Sequence, residues 1–205
     1  MTSGLADVCL GCWLAVSATA LAGTELDSLI SSLAREPPRS VEFVETHRSP
    51  LLERDIVVSG LLEYHGKGKL SRIVTEPYRE RTDIDGTDVR IRREGRPERR
   101  FSLRHSEELG GMLSAFSSLL ANDRAALDAA FEVTGAMEAG GWRLDLLPRQ
   151  MNQRDRVAMI RVTGTGNEPS CIAVLRQDGS AATVVVFGKR SADPAPGCME
   201  QDRER

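Results

Sequence analysis

The chain has 205 residues, of which 40% are apolar and 28% are charged, and its formal net charge at pH 7 is -3. This length and composition suit one domain with a sizeable core. Because the net charge is slightly negative, composition excludes a whole-protein electrostatic attraction to nucleic acid.

The first 22 residues contain no Lys, Arg or Glu and carry an apolar run that ends at Ala20-Leu21-Ala22. Small residues at this spacing are typical of an export signal, so we predict that residues 1–22 are cleaved before Gly23. Because no basic residue precedes the run, an N-terminal core helix or a misplaced start codon is the alternative. A lipid-attached Cys12 has less support, since Cys9 and Gly11 flank it poorly. The run is shorter than the roughly 20 apolar residues that a transmembrane helix needs.

Cleavage would also remove two of the four cysteines, Cys9 and Cys12. Cys171 and Cys198 would then be the remaining pair in an oxidising compartment, where a disulfide between them would tie the C-terminal segment to a strand. Two free thiols are the alternative.

Residues 24–36 have apolar side chains at a helical spacing, so they predict a helix with one apolar face. These apolar positions are Leu26, Leu29, Ile30 and Leu33. Thr24 is the expected N-cap, and Pro37-Pro38 is the expected stop.

Between Pro38 and Leu103, apolar residues instead recur at every second position. This pattern predicts six short strands separated by turn residues. The predicted strands span 41–47, 55–64, 70–74, 80–84, 88–92 and 99–103. The run from His65 to Lys69 (HGKGK) lacks the earlier glycine and the Ser or Thr that a phosphate-binding loop requires. We therefore predict a hairpin turn there.

A second helical region follows, with apolar residues along one side of a helix that begins near Ser106. An alanine-rich helical piece begins at Asn122-Asp123, and within it Leu127 and Phe131 are expected to pair. The period of two then returns in four predicted strands within 142–148, 157–162, 171–177 and 182–187. Residues 191–205 are predicted to form a flexible tail.

This order of elements, with short connections, predicts one antiparallel sheet whose concave side receives the apolar faces of the helices. Twist curls such a sheet into a barrel or half barrel.

Five segments, in this order along the chain, match the pattern of a known family. They are VEFVETHRSPLLERDIVVSGLLEY (41–64), KLSRIVTEPYRE (69–80), DIDGTDVRI (83–91), WRLDLLPR (142–149) and CIAVLRQDGSAATVVVF (171–187). Together they resemble the LolA/LolB-type family of periplasmic outer-membrane lipoprotein carriers. The resemblance covers nearly all of the chain after the predicted signal.

The resemblance implies an α+β fold: a curved antiparallel sheet forming an incomplete, half-open β-barrel, with an N-terminal helix and a central helical insert over its hydrophobic concave face. Residues 23–190 would form this single LolA-like domain. The chain would then be a divergent LolA-like carrier in the periplasm of a Gram-negative bacterium, taking a lipid, lipoprotein acyl chains or another acylated molecule towards the outer membrane. The implied partners are these acyl chains, an inner-membrane donor and an outer-membrane acceptor; we expect a monomer without cofactor.

One segment departs from the family pattern. The best-known carriers place an Arg-Pro pair near the end of the strand that begins at Ser59-Gly60, where the arginine fastens a helical lid. Here His65-Gly66-Lys67 occupies that region, so the fastening role is not carried over to a residue. Lys67 and Lys69 are the first candidates for residues by which this chain differs from those carriers.

Twelve apolar residues are the candidate lining of the acyl-binding cavity, and ordinary core packing is the alternative for each. They are Phe43, Val58, Leu62, Ile91, Phe101, Leu103, Met112, Phe116, Leu144, Leu146, Ile160 and Val184.

Other chemistry has weaker support in the sequence. His47, His65 and His105 lack metal-ligand spacing, and the chain has no Gly-x-Ser-x-Gly motif. We therefore predict neither a metal site nor catalytic residues, and a hydrolase is the least supported function. A non-catalytic sensor or interaction module on the same scaffold, binding lipid or a membrane signalling partner, is the alternative to a carrier. The arginine-rich stretch 79–104 could meet anionic headgroups or form a solvated strand face.

Overall fold

The computed structural model describes residues 19–48, 53–102, 115–138, 140–149 and 157–188. Its helices are α1 (Gly23–Ser32), α2 (described over 115–120) and α3 (Arg124–Ala130). Its strands are β1 (Thr19–Ala20), β2 (Arg39–His47), β3 (Ile56–Gly66), β4 (Lys69–Glu76), β5 (Glu80–Asp85), β6 (Asp88–Arg93), β7 (Arg99–Ser102), β8 (Phe131–Glu138), β9 (Gly141–Pro148), β10 (Met159–Thr165), β11 (Glu168–Leu175) and β12 (Ala181–Phe187).

Within the described residues, all twelve strands form one antiparallel sheet in the order β1-β8-β9-β10-β11-β12-β2-β3-β4-β5-β6-β7. Strands β1 and β7 are the two edges of this order, so the sheet is not closed. The structure therefore confirms the predicted α+β fold with an open antiparallel sheet. The hydrogen bonds between β12 and β2 join the C-terminal hairpins to the N-terminal hairpins.

The helices pack on one side of the sheet, which we call the inner face. At Gly135 of β8, an added Cβ would lie 2.9 Å from Leu26 Cδ1 of α1 and 3.3 Å from Leu144 Cδ2 of β9. Residues that pair directly across antiparallel strands point to the same face, so the register assigns every strand position to the inner or the outer face. The largest cluster of buried apolar side chains joins the inner face to α1, α2 and α3.

The HGKGK run is a hairpin turn, as predicted. β3 ends at Gly66 and β4 begins at Lys69, with Lys67 and Gly68 in the turn. Gly68 has a φ of 73°, a left-handed conformation that favours glycine.

Two boundaries differ from the sequence prediction. Helix α1 begins at Gly23, with Ala22 as N-cap, because the Ala22 N–H is satisfied by Glu25 Oε2 at 3.2 Å; Thr24 lies inside the helix. Helix α3 ends at Ala130, and Phe131 begins β8, so the predicted helical pairing of Leu127 with Phe131 is wrong. Residues 131–138 instead pair with β9 along their whole length, and this sheet pairing outweighs the helical preference of the alanines that precede them.

The end of the predicted export signal lies within the described residues. Thr19–Ala20 pairs with β8, and the Leu21 N–H donates to the Gly135 carbonyl at 3.0 Å. Cleavage before Gly23 would remove these contacts, and it stays a prediction.

Candidate functional site

The inner face and α2 form a small cavity with apolar and charged walls, which we call the hollow. Two adjoining spaces of about 80 and about 20 Å³ share Leu62, Phe116 and Phe187 in their walls. The Phe116 and Phe187 rings stack with their centroids 5.2 Å apart, so α2 rests directly on the sheet. The remaining walls are formed by Arg35, Arg39, Ser40, Val41, Phe43, Glu45, Tyr64, Arg72, Leu120, Glu168, Pro169, Ile172 and Val185.

The predicted lining residues divide into several groups. Phe43, Leu62 and Phe116 line the hollow. Val58, Leu144, Leu146 and Ile160 are buried in the same inner cluster but do not line these two spaces, and Ile91 and Phe101 pack against that cluster. Leu103 and Met112 lie outside the described residues.

Val184 is misplaced in the sequence prediction. It pairs with Thr46 and Ala173 on the outer face, in a separate cluster of buried apolar residues, whereas the next residue, Val185, lines the hollow. The run AATVVVF has no alternation of apolar and polar residues from which its facing could be read. The prediction missed Val185 and Phe187 for the same reason.

A helical cover, formed by α2, α3 and the residues between them, is attached to the turn after β3. The Lys67 ammonium lies 2.8 Å from a carboxylate oxygen of Asp123. Asp123 is the N-cap of α3 and also accepts a hydrogen bond from the Ala126 N–H. The Gly68 N–H donates to Ser117 Oγ of α2 at 3.1 Å. The hydrogen bond from Lys67 lowers the pKa of Asp123, so this carboxylate is ionised at neutral pH.

Three charged side chains also lie on the inner face, and we call them the Arg72 cluster. Arg72 donates from Nε and Nη2 to Glu45 Oε2, at 2.8 and 2.7 Å, and from Nη1 to Glu80 Oε1 at 3.4 Å. Its guanidinium carbon lies 5.4 Å from the centre of the Phe43 ring. Glu45 and Arg72 line the hollow together with Phe43 and Leu62.

The outer face carries a second polar network, centred on Ser71 and Asp83. Ser71 Oγ donates to Asp83 at 2.8 Å, Arg81 Nη2 donates to Ser71 Oγ at 2.9 Å, and His65 Nε2 lies 3.1 Å from the same hydroxyl. Burial alone would raise the pKa of Asp83, but hydrogen bonds from Ser71, Arg92 and Arg81 lower it more. The serine proton therefore points to a carboxylate that is a weak base, which is not the Ser–His–Asp arrangement of hydrolases.

The arginine-rich stretch is partly paired with acids. Arg81 and Arg92 contact Asp83, and Arg90 and Arg100 contact Glu98. These pairs fit a solvated strand face. Arg79, Arg92, Arg93 and Arg96 nevertheless line an open depression of about 630 Å³, so an anionic partner remains the other interpretation.

Cys171 is buried on the outer face and is disulfide-bonded. Cys198 lies outside the described residues, so its pairing with Cys171 stays a prediction. In the described part of the chain, no group of three or more His, Cys, Asp or Glu side chains could hold a metal ion. No helix in those residues is long and apolar enough to cross a membrane.

A search of curated proteins gave no match. Among solved structures, a LolA superfamily protein from Nitrosomonas europaea is similar with 12% identity and a TM-score of 0.41, over 78% of this chain and 89% of that one. A domain described as outer membrane lipoprotein-sorting, from Vibrio parahaemolyticus, is similar with 11% identity and a TM-score of 0.46, over 88% of this chain and 95% of that one.

The family comparison covers most of the sequence. Residues 17–199 match the family model described as outer membrane lipoprotein carrier protein LolA-like. The matched range includes every described strand and helix. The chain therefore belongs to the LolA-like family of outer membrane lipoprotein carrier proteins.

Proposed function

We propose that this protein carries a lipid, lipoprotein acyl chains or another acylated molecule in the hollow, working by binding without covalent chemistry. It would be exported with a cleaved signal, act as a monomer in the periplasm, and pass cargo from an inner-membrane donor to an outer-membrane acceptor. The observation that supports this best is an apolar inner face that is covered by short helices instead of a second sheet.

The physical chemistry of acyl chains suits such a site. Each CH₂ group removed from water contributes about 0.8 kcal/mol, so an apolar wall alone can hold a chain. The hollow has spaces of only about 80 and about 20 Å³. Sites for drug-sized ligands usually have about 300 to 1,000 Å³. Cargo entry therefore requires displacement of Phe116 and the helical cover from the sheet.

The attachment of the cover suits repeated opening. Lys67 is 74% exposed at its side chain, so its ion pair with Asp123 lies at the surface. An exposed ion pair contributes about 0.2 to 1 kcal/mol, much less than the burial of several CH₂ groups. Acyl burial can thus offset the loss of this contact, and the contact can re-form when the cargo leaves.

The carrier function can be tested with purified protein. Mass spectrometry of a solvent extract should detect a bound lipid, and a fluorescent fatty acid should bind and move between vesicles in the presence of the protein. An empty protein that also fails to bind the fatty acid would contradict the proposal. A stable crosslinked membrane partner without transfer between vesicles would favour the interaction module instead.

Two substitutions on β3 provide a matched pair for locating the binding site. Leu62 is buried in the hollow wall, whereas Val57 is 52% exposed and lies on the outer face of the same strand. We expect Leu62→Gln to weaken fatty-acid binding by about tenfold, because an unpaired amide in an apolar site costs about 1 to 3 kcal/mol. Val57→Gln should leave binding unchanged, and circular dichroism should show that both variants fold.

A further inference from the structure

The residues just before Gly23 are part of the folded sheet. The two residues of β1 pair with β8, and the Leu21 N–H donates to the Gly135 carbonyl at 3.0 Å. On its other side β8 pairs with β9. A cut before Gly23 would therefore make β8 an edge of the described sheet and leave N–H and C=O groups along it without these partners.

The Leu21 side chain also belongs to the core. It is half-buried and packs against the main apolar cluster of the inner face. At Gly135, an added Cβ would lie 3.1 Å from Leu21 Cδ1 and 2.9 Å from Leu26 Cδ1. A glycine within a strand often marks a close approach of this kind. The sheet thus has a residue without a side chain where Leu21 and Leu26 come close to its backbone.

Ala22 forms the N-cap of α1. Its carbonyl accepts a hydrogen bond from the Leu26 N–H at 2.9 Å, and its N–H donates to Glu25 Oε2 at 3.2 Å. A chain that began at Gly23 would lack both bonds. It would also place a charged α-amino group at the helix N-terminus, where the helix dipole already has its positive end. A cut before Gly23 would therefore weaken α1, which buries Leu26 and Ile30 in the core.

The sequence contains another small-x-small pattern upstream of β1. Ala15-Val16-Ser17 has small residues at both spacing positions, and its cut would fall before Ala18. The apolar run from residue 8 to residue 16 then has nine residues, which suits the usual length of about 7 to 15. Residues 18–20 repeat the pattern, but a cut before Leu21 would remove β1. The match to the family model begins at residue 17, before all of these contacts.

We propose that the export signal comprises residues 1–17 and that the processed bond is the one between Ser17 and Ala18. Water adds across this peptide bond, leaving a carboxylate on Ser17 and an amino group on Ala18, and the catalyst is a signal peptidase of the exporting cell. The inference rests on export with a cleaved signal, which is part of the proposed function. The mature chain then comprises residues 18–205 and keeps β1, Leu21 and the N-cap of α1.

The N-terminus of the exported protein tests the site directly. The full chain is expressed in a Gram-negative host, and periplasmic protein is examined by N-terminal sequencing and intact mass. We expect the chain to begin at Ala18, so that it is heavier by residues 18–22 than a chain that begins at Gly23. A start at any other residue would overturn the inference. A periplasmic chain that keeps Met1 would also contradict export with a cleaved signal, while fatty-acid binding would still decide the carrier function.

Two substitutions distinguish the candidate bonds. The residue before a processed bond is small, so a large side chain there should block cleavage. Ser17→Leu should therefore abolish the cut before Ala18. Ala22→Leu makes the same kind of change at an exposed position before Gly23 and should be processed like the wild type. Normal processing of Ser17→Leu together with blocked processing of Ala22→Leu would assign the cut to Gly23 and overturn the inference.

Thermal unfolding measures what residues 18–22 contribute to the fold. Two purified chains are compared, one that begins at Ala18 and one that begins at Gly23. The shorter chain lacks the hydrogen bonds of Leu21 and Ala22 and the packing of Leu21. It should have a Tm lower by about 5 to 10 °C, or fail to fold. Equal Tm values would show that these residues do not stabilise the domain, and would overturn the inference while the carrier function stands.

Discussion

Replacing Lys67 with alanine should make the hollow easier to open. The Lys67 ammonium is 2.8 Å from Asp123, and its side chain is 74% exposed while that of Asp123 is 17% exposed. At such exposure the ion pair contributes about 0.5 kcal/mol. If cargo entry requires the helical cover to leave the sheet, losing this contact should raise the association rate of a fatty acid about twofold.

Replacing Asp123 itself should have a larger effect, because Asp123 makes two contacts. Asp123→Ala removes the ion pair and also the N-cap of α3, whose hydrogen bond comes from the Ala126 N–H at 3.3 Å. An N-cap contributes about 1 kcal/mol, so the combined loss is about 1.5 kcal/mol and the expected increase in association rate is about tenfold.

Stopped-flow fluorescence with a fluorescent fatty acid measures these rates, and Lys69→Ala is the matched control. Lys69 lies on the same hairpin, but its ion pair is with Asp85, 3.4 Å away and within that hairpin. Added salt should raise the rate of the wild type and not that of Lys67→Ala, because salt screens exposed pairs. Equal rates for the Lys67 and Lys69 variants, or a slower Asp123 variant, would refute the reasoning.

Three further predictions concern stability and covalent structure. Gly60→Ala should destabilise the fold by about 3 kcal/mol in chemical denaturation, because the new Cβ would lie 1.8 Å from the Ile73 carbonyl oxygen; Gly23→Ala, where no atom lies within 4 Å, is the control and should have little effect. Asp83 has a lower pKa in the folded protein than an ordinary Asp, so its ionised form stabilises the fold at pH values above about 4. The unfolding free energy should therefore fall as pH decreases through the folded pKa, and Asp83→Asn should reduce that dependence. Intact mass should rise by two hydrogens on reduction of the mature chain, with Cys171 in the crosslinked peptide; an unchanged mass would exclude the predicted bridge.

The sequence predicted most of the sheet because its strands either alternate apolar and polar residues or lie between recognisable turns. The HGKGK turn follows from local backbone preferences, which do not depend on distant residues. The β8 strand was not predictable in the same way. Its first residue, Phe131, continues the helical spacing of the alanine-rich segment before it. Only the pairing with β9 decides between helix and strand there.

The candidate site was less predictable than the fold. A continuous apolar run such as the one in β12 does not specify which residues face the helices, and this caused the error at Val184. Arg72 was missed because an arginine in a strand is normally assigned to the solvent face. Its partner Glu45 is 27 residues away in sequence, and only the register across β2, β3 and β4 brings the two together.

The join between β12 and β2 has a consequence for when a binding site can exist. Phe43 and Phe187, both in the wall of the hollow, are register partners 144 positions apart in the chain. Contacts between distant segments form late, since a long loop must close before they contribute to stability. The N-terminal hairpins can therefore fold without the other half of the wall. On the proposed function, an acyl chain would be captured only after the last described strand has joined the sheet, so completing the fold and gaining the binding site would be the same event.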